Sequence, residues 1–142
     1  MMRSLPLALA LALALGLGGC TLTSGEALFE PADGEAPRVE GSIPEAGWIS
    51  VPIDLEPRAW FSEPIDPASV GPDTAALWSG DHDVEVRYHV DVDSDGRGIL
   101  RLAPARPLVP GVRYVFGVSR GVTDRFGNPL QDFWFAPFET AR

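Results

Sequence analysis

Val84-Glu85-Val86-Arg87-Tyr88-His89-Val90-Asp91-Val92 alternates apolar and polar side chains without a break. Successive side chains of a strand point to opposite faces, so the run predicts a strand with one wall buried and the other in water. Val112, Tyr114, Phe116 and Val118 repeat the pattern, as do Leu100 with Leu102, and Leu55, Ala59 and Phe61. Working outward from these runs, we expect seven strands, at 38–42, 53–61, 74–78, 84–92, 99–103, 112–118 and 133–140. An isolated hairpin is only marginally stable, so a second sheet must cover the first. The expected fold is all-β, an antiparallel β-sandwich of about seven strands.

The spaces between the runs agree with this. The 142-residue chain contains 15 Gly and 14 Pro, which interrupt helical periodicity and favour turns. Asp95-Gly96 sits between two alternating runs and supplies the backbone angles of a tight hairpin. Pro110-Gly111 and Gly127-Asn128-Pro129 are further chain reversals. Acidic residues outnumber basic ones 20 to 11, a formal charge of −9. Nucleic acid, whose phosphates need cations, is therefore not an expected partner.

The first 19 residues have the layout of a secretory signal: Arg3 near the start, an apolar run from Leu5 to Leu17, then Gly18 and Gly19. Thirteen apolar residues are fewer than the roughly 20 a membrane-spanning helix needs. Leu17-Gly18-Gly19-Cys20 resembles the lipobox of bacterial lipoproteins. That resemblance implies a diacylglyceryl group and an N-acyl chain on Cys20, and hence a lipid membrane as partner through this anchor. One acyl chain holds a protein only marginally, whereas two or three make attachment effectively permanent. Thr21 follows the Cys in place of Asp, which by the same resemblance favours the outer membrane over the inner. Cys20 is the only cysteine, so no intramolecular disulfide can form and packing must supply stability. Residues 20–37 carry Thr, Ser, Gly, Pro and acidic residues without periodicity. They read as the lipidated Cys and a flexible acidic tether ahead of a domain at 38–142.

Within 38–142, four stretches resemble the bacterial Ig-like domain of SbsA-type S-layer proteins. They are Trp60-Phe61-Ser62-Glu63-Pro64-Ile65-Asp66-Pro67-Ala68-Ser69-Val70; Leu102-Ala103-Pro104-Ala105-Arg106-Pro107-Leu108-Val109-Pro110-Gly111-Val112-Arg113-Tyr114; Gly121-Val122-Thr123-Asp124-Arg125-Phe126-Gly127-Asn128-Pro129-Leu130; and Phe135-Ala136-Pro137-Phe138-Glu139-Thr140. The resemblance implies an Ig-like sandwich in which Tyr114 plays a tyrosine-corner role, its phenol bonding to backbone near 108–111. Asp124, Gly127 and Asn128 are the structural residues of the turn that follows. The sequence departs from the family pattern where Ser79-Gly80-Asp81-His82-Asp83 replaces a Gly-rich turn.

Candidate chemistry is sparse. Asp91, Asp93 and Asp95 with Gly96 match the opening of a calcium loop, but Leu102 stands where a bidentate Glu belongs and no helix flanks the loop. An acidic hairpin tip is the preferred reading and calcium the alternative. His82 and His89 lack metal-ligand spacing. Ser62, Asp66 and a His can be grouped as a triad, yet no nucleophile motif positions the Ser. No catalytic residue and no cofactor beyond the lipid are expected, and the enzyme reading is set aside. Trp48, Trp60, Trp78 and Trp134 suit sheet packing first and sugar stacking second. Trp60 and Trp134 draw attention because each has the parity opposite to a neighbouring Phe. The expectation is a non-enzymatic cell-envelope lipoprotein whose Ig-like domain is a structural or interaction module. The alternative is a carbohydrate- or peptide-binding module using exposed Trp residues or a sheet edge, with an envelope protein or glycan as partner.

Overall fold

Alternation of apolar and polar residues builds two four-stranded antiparallel sheets that face each other across one core. The computed structural model describes residues 34–142; the expected signal sequence, Cys20 and nearly all of the tether lie outside the described residues. The strands are β1 (Val39–Ile43), β2 (Arg58–Phe61), β3 (Ala75–Ser79), β4 (His82–Asp83), β5 (Val86–Val92), β6 (Gly98–Pro104), β7 (Arg113–Val118) and β8 (Trp134–Glu139). One sheet has the order β1-β2-β6-β5 and the other β4-β3-β7-β8. Among the described residues one 3-10 turn, Pro67–Ser69, lies between β2 and β3.

Eight strands stand where seven were expected. The additional one is β4, two residues that fold back on β3 through Gly80 and Asp81, with Ser79 opposite His82. Gly80 has φ +55°, the positive angle such a two-residue loop demands. The expected strand at 53–61 begins only at Arg58. Ile53 and Asp54 are used in a turn closed by the Leu55 N–H on the Pro52 carbonyl, and Pro57 has no N–H to donate. The hairpin at Asp95-Gly96 is a three-residue loop between Asp93 and Arg97, with Gly96 at φ +81°.

The run that decided the fold divides between the two sheets. The Val84 N–H bonds to the Leu77 carbonyl in one sheet, and the Glu85 carbonyl accepts from Ala105 N beside the other. From Val86 onward the chain belongs to β5, paired with β6 from Val86↔Pro104 to Val92↔Gly98. Its alternation is as expected, but its apolar wall is half-buried because β5 is an edge strand.

The core interleaves Ala59, Phe61, Leu100 and Leu102 of one sheet with Leu77, Phe116, Val118 and Phe138 of the other. Burial of such a side chain is worth about 1.5–3 kcal/mol. Pro37, at the expected end of the tether, is also fully buried, and its carbonyl accepts from Gln131 N. After β1 the chain crosses to the other sheet, where residues 47–51 run along the outer edge of β8. There Gly47 N and Val51 N donate to the Pro137 and Glu139 carbonyls, and Glu139 N donates to Trp48 O.

Candidate interaction face

The outward wall of the β4-β3-β7-β8 sheet carries apolar side chains where a solvated sheet ordinarily carries polar ones. In β3, Ala75 and Leu77 point inward and leave Ala76 and Trp78 outside. In β7 the inward residues are Tyr114, Phe116 and Val118, leaving Val115 and Gly117 outside. Register then aligns two cross-sheet rows, Ala76–Gly117–Phe135 and Trp78–Val115–Pro137. The Trp78 indole leans across to Gly117 and fills the space above it, so that a β-carbon there would stand 2.6 Å from Cη2 and Cζ3.

Phe135 and Phe133 extend this wall and are 58% and 57% exposed, with ring centroids 6.1 Å apart. Between Trp78 and Phe133 lies a shallow hollow of about 150 Å³, rimmed by the exposed Asp73 and by Thr74. Aromatic sides with an aspartate in the lining are chemistry that can stack and hydrogen-bond a sugar ring or hold an apolar peptide side chain.

The tryptophans divide accordingly. Trp60 faces outward on the other sheet beside Gly41 and Arg58, whose guanidinium carbon is 6.0 Å from its ring. Trp134 does have the parity opposite to its neighbour Phe135, and it is the inward member of the pair. It packs edge-on to Phe116 at 5.1 Å, and Phe135 is the outward ring. Sequence reading missed Phe133 and Phe135; the signal available was Gly117, a gap in an apolar strand that a neighbouring aromatic fills.

The other residues singled out from sequence are spread over the fold. Tyr114 is buried, stacked on Phe138 at 5.9 Å, and its hydroxyl accepts the Val109 N–H at 2.9 Å. Thr140, not singled out from sequence, anchors the same loop: its hydroxyl donates to the Val109 carbonyl at 2.6 Å and accepts from Val112 N at 3.0 Å. Asp124 is buried in the turn that Gly127 and Asn128 complete. Its Oδ1 accepts from Phe126 N and Asn128 N, and its Oδ2 from the Asn128 side-chain amide at 2.7 Å. Desolvation pushes the Asp124 carboxyl up, but these bonds outweigh it and hold the carboxyl below its ordinary range.

At the β5–β6 loop, Asp93 Oδ1 accepts from Asp95 N and Arg97 N, each at 2.9 Å. Its Oδ2 takes the Arg97 guanidinium at 2.8 Å. Desolvation again pushes upward and is outweighed by these donors, so the Asp93 carboxyl also titrates low. Asp91 lies exposed in β5 and Asp95 at the loop tip, where its Oδ2 is 3.6 Å from Arg97. Among the described residues, no three of His, Cys, Asp and Glu converge as a metal-holding group.

Ser62, Asp66 and the two histidines are not brought together. The Ser62 hydroxyl accepts from Arg38 N, Asp66 caps the 3-10 turn by accepting from Ala68 N, His82 is in β4, and His89 is in β5 of the opposite sheet. Tyr88 ties the two sheets together by donating its hydroxyl to the Ala75 carbonyl at 2.9 Å. Burial, reinforced by the charges of Asp83 and Asp73, raises its pKa.

The family profile of the bacterial Ig-like domain matches residues 33–140. Among solved structures, the fold is similar to the N-terminal part of the bacterial S-layer protein SbsC, at 18% sequence identity and a TM-score of 0.50. The match covers 75% of this chain and 24% of the other, so the chain spans about a quarter of that S-layer chain. It is also similar to PcoC, a methionine-rich copper resistance protein from Escherichia coli, at 18% identity and a TM-score of 0.51, covering 75% of this chain and 99% of the other. Both are likenesses of fold. Methionine richness is not shared, since this chain has two methionines, Met1 and Met2. No curated protein sequence matches the chain.

Proposed function

Since the chain belongs to the bacterial Ig-like domain family, we propose that it is a non-enzymatic lipoprotein of the cell envelope, held by acyl chains on Cys20 and presenting its Ig-like domain as a structural or interaction module. The observation that carries the module reading is the outward wall of Trp78, Phe133 and Phe135. Its two phenylalanines are more than half exposed on a sheet whose other face is already closed by the core. Exposed contiguous apolar surface of this kind is characteristic of interaction sites. Ser62, Asp66 and the two histidines lie apart, and Asp124, Asp93, Tyr114 and Thr140 are each occupied in holding a turn or loop.

Envelope placement is supported by the signal-like leader and by Leu17-Gly18-Gly19-Cys20. Thr21 in the position after the Cys favours the outer membrane. Radiolabelled palmitate fed to cells expressing the full chain tests the anchor. Label is expected in the protein and is expected to vanish with Cys20→Ser; equal labelling of both chains refutes the anchor.

A second reading, a glycan-binding module, is favoured by the hollow between Trp78 and Phe133 with Asp73 at its rim. Binding on a glycan array that is lost in Trp78→Ala and in Phe133→Ala supports this reading. An array without signal leaves the wall to a protein partner.

A further inference from the structure

We infer that the free edge of β5 is a self-complementary docking strand for a second copy of this chain. The four sheet edges differ in how they are finished. Residues 47–51 cover β8, β4 is only two residues long, and β1 has a register break between Val39 and Gly41 before running into Pro44. Short edges, bulges and prolines are the usual means of keeping a sheet from pairing further. The edge of β5 has none of these. Its seven residues keep unbroken register with β6, and no described residue pairs with its other side.

The backbone phase determines how a partner adds. Asp93 N bonds to Arg97 O and Ala105 N to Glu85 O, so the odd-numbered residues direct their N–H and C=O groups toward β6. Val86, Tyr88, Val90 and Val92 therefore direct theirs to the open side. An antiparallel copy centred on His89 satisfies all of them, placing Tyr88 opposite the second copy's Val90 and Val86 opposite its Val92. On the solvent wall the same register sets Arg87 opposite the second copy's Asp91, twice, with the two His89 residues at the centre. Opposite charges directly across a strand pair are favourable, and like charges are not. A shift of two residues one way puts each Arg87 across from His89 and each Asp91 across from Glu85. A shift the other way puts Arg87 across from Asp93, whose Oδ2 is already taken by Arg97 at 2.8 Å, so the register centred on His89 is the one that gives Arg87 the exposed Asp91. The pairing also covers Val92, which is 56% exposed in the single copy.

The test uses the full chain with Cys20→Ser, so that an introduced thiol is the only one. His89→Cys is expected to form a disulfide-linked dimer under mild oxidation. Directly opposed residues have β-carbons about 5 Å apart, near what a disulfide accepts. Arg87→Cys is expected to remain single, because its own equivalent lies four residues along, about 14 Å away. Adding Arg87→Glu to His89→Cys should reduce the dimer band several-fold, and adding Asp91→Arg as well should restore it. These side chains are exposed, so folding is not at stake. Absence of the His89→Cys band, an equal band from Arg87→Cys, failure of the double charge exchange to restore pairing, or a band of mixed mass with another protein each overturns the inference. Lipid on Cys20 and the aromatic wall take no part in this readout, so it fails or succeeds separately from the proposed function.

Discussion

The Trp78 indole occupies the volume that a side chain at Gly117 would need, with two ring carbons 2.6 Å from the position of the missing β-carbon. Gly117 has no positive φ, so the pressure there is steric rather than conformational. Gly117→Ala is expected to lift the indole off the sheet and cost about 1 kcal/mol or less in urea unfolding, because the atoms in the way are the far end of an outward side chain that can swing toward solvent. Acrylamide quenching of tryptophan fluorescence should rise at the same time. The double variant Gly117→Ala with Trp78→Ala should cost less than the sum of the single changes, because the clash is then absent. Strict additivity would contradict the contact.

Tyr114 combines a buried ring with one hydrogen bond, and the two contributions separate by substitution. Tyr114→Phe removes the acceptor of the Val109 N–H and should cost about 1 kcal/mol. Tyr114→Ala also opens the space against Phe138 and should cost about 3–5 kcal/mol, the range of large aromatic truncations. Urea titrations of both variants check the ratio; equal and small losses would show that the ring is not holding the corner.

Asp124 makes the fold sensitive to acid. Its carboxyl titrates lower folded than unfolded, so its stabilisation is fully present above the unfolded value of about 3.9 and is lost as pH falls through the lower folded value. Unfolding free energy should therefore be level from neutral pH down to about pH 5 and decline below about pH 4. Asp124→Asn should flatten part of that decline, leaving the part due to Asp93, whose carboxyl shifts in the same direction. At neutral pH the same variant should lose about 1–3 kcal/mol, because one amide cannot accept at both positions that the carboxylate serves. An unchanged acid slope in Asp124→Asn would place the sensitivity elsewhere.

Most of the sandwich was legible because one apolar wall per strand is a strong signal, and β5, β6 and β7 carry it plainly. Facing was less legible where both walls are apolar. In Phe133-Trp134-Phe135-Ala136 alternation cannot say which ring turns inward, and the pairing of Val118 with Trp134 decides it. That ambiguity hid the aromatic wall. β4 was missed because two residues cannot show a period. Thr140 was overlooked because a hydroxyl at a strand end looks solvated until the 108–112 loop is seen folding over it.

Asp93 bears on the calcium alternative for Asp91, Asp93 and Asp95. A calcium loop needs carboxylate oxygens left free to converge on one point. Here both oxygens of Asp93 are engaged, Oδ1 by two backbone N–H groups and Oδ2 by the Arg97 guanidinium at 2.8 Å, which puts a fixed positive charge on the oxygen a cation would use. Asp91 belongs to the regular ladder of β5, opposite Ile99, and is not turned back into the loop. Calorimetric titration of the full chain with calcium is therefore expected to give no binding heat, and calcium should leave thermal unfolding unchanged. Asp93→Asn should weaken the loop through its lost pairing with Arg97, equally with and without calcium. A stabilisation by calcium that disappears in Asp93→Asn would show that the guanidinium yields its place to the ion, and the acidic loop would then have to be read as a metal site.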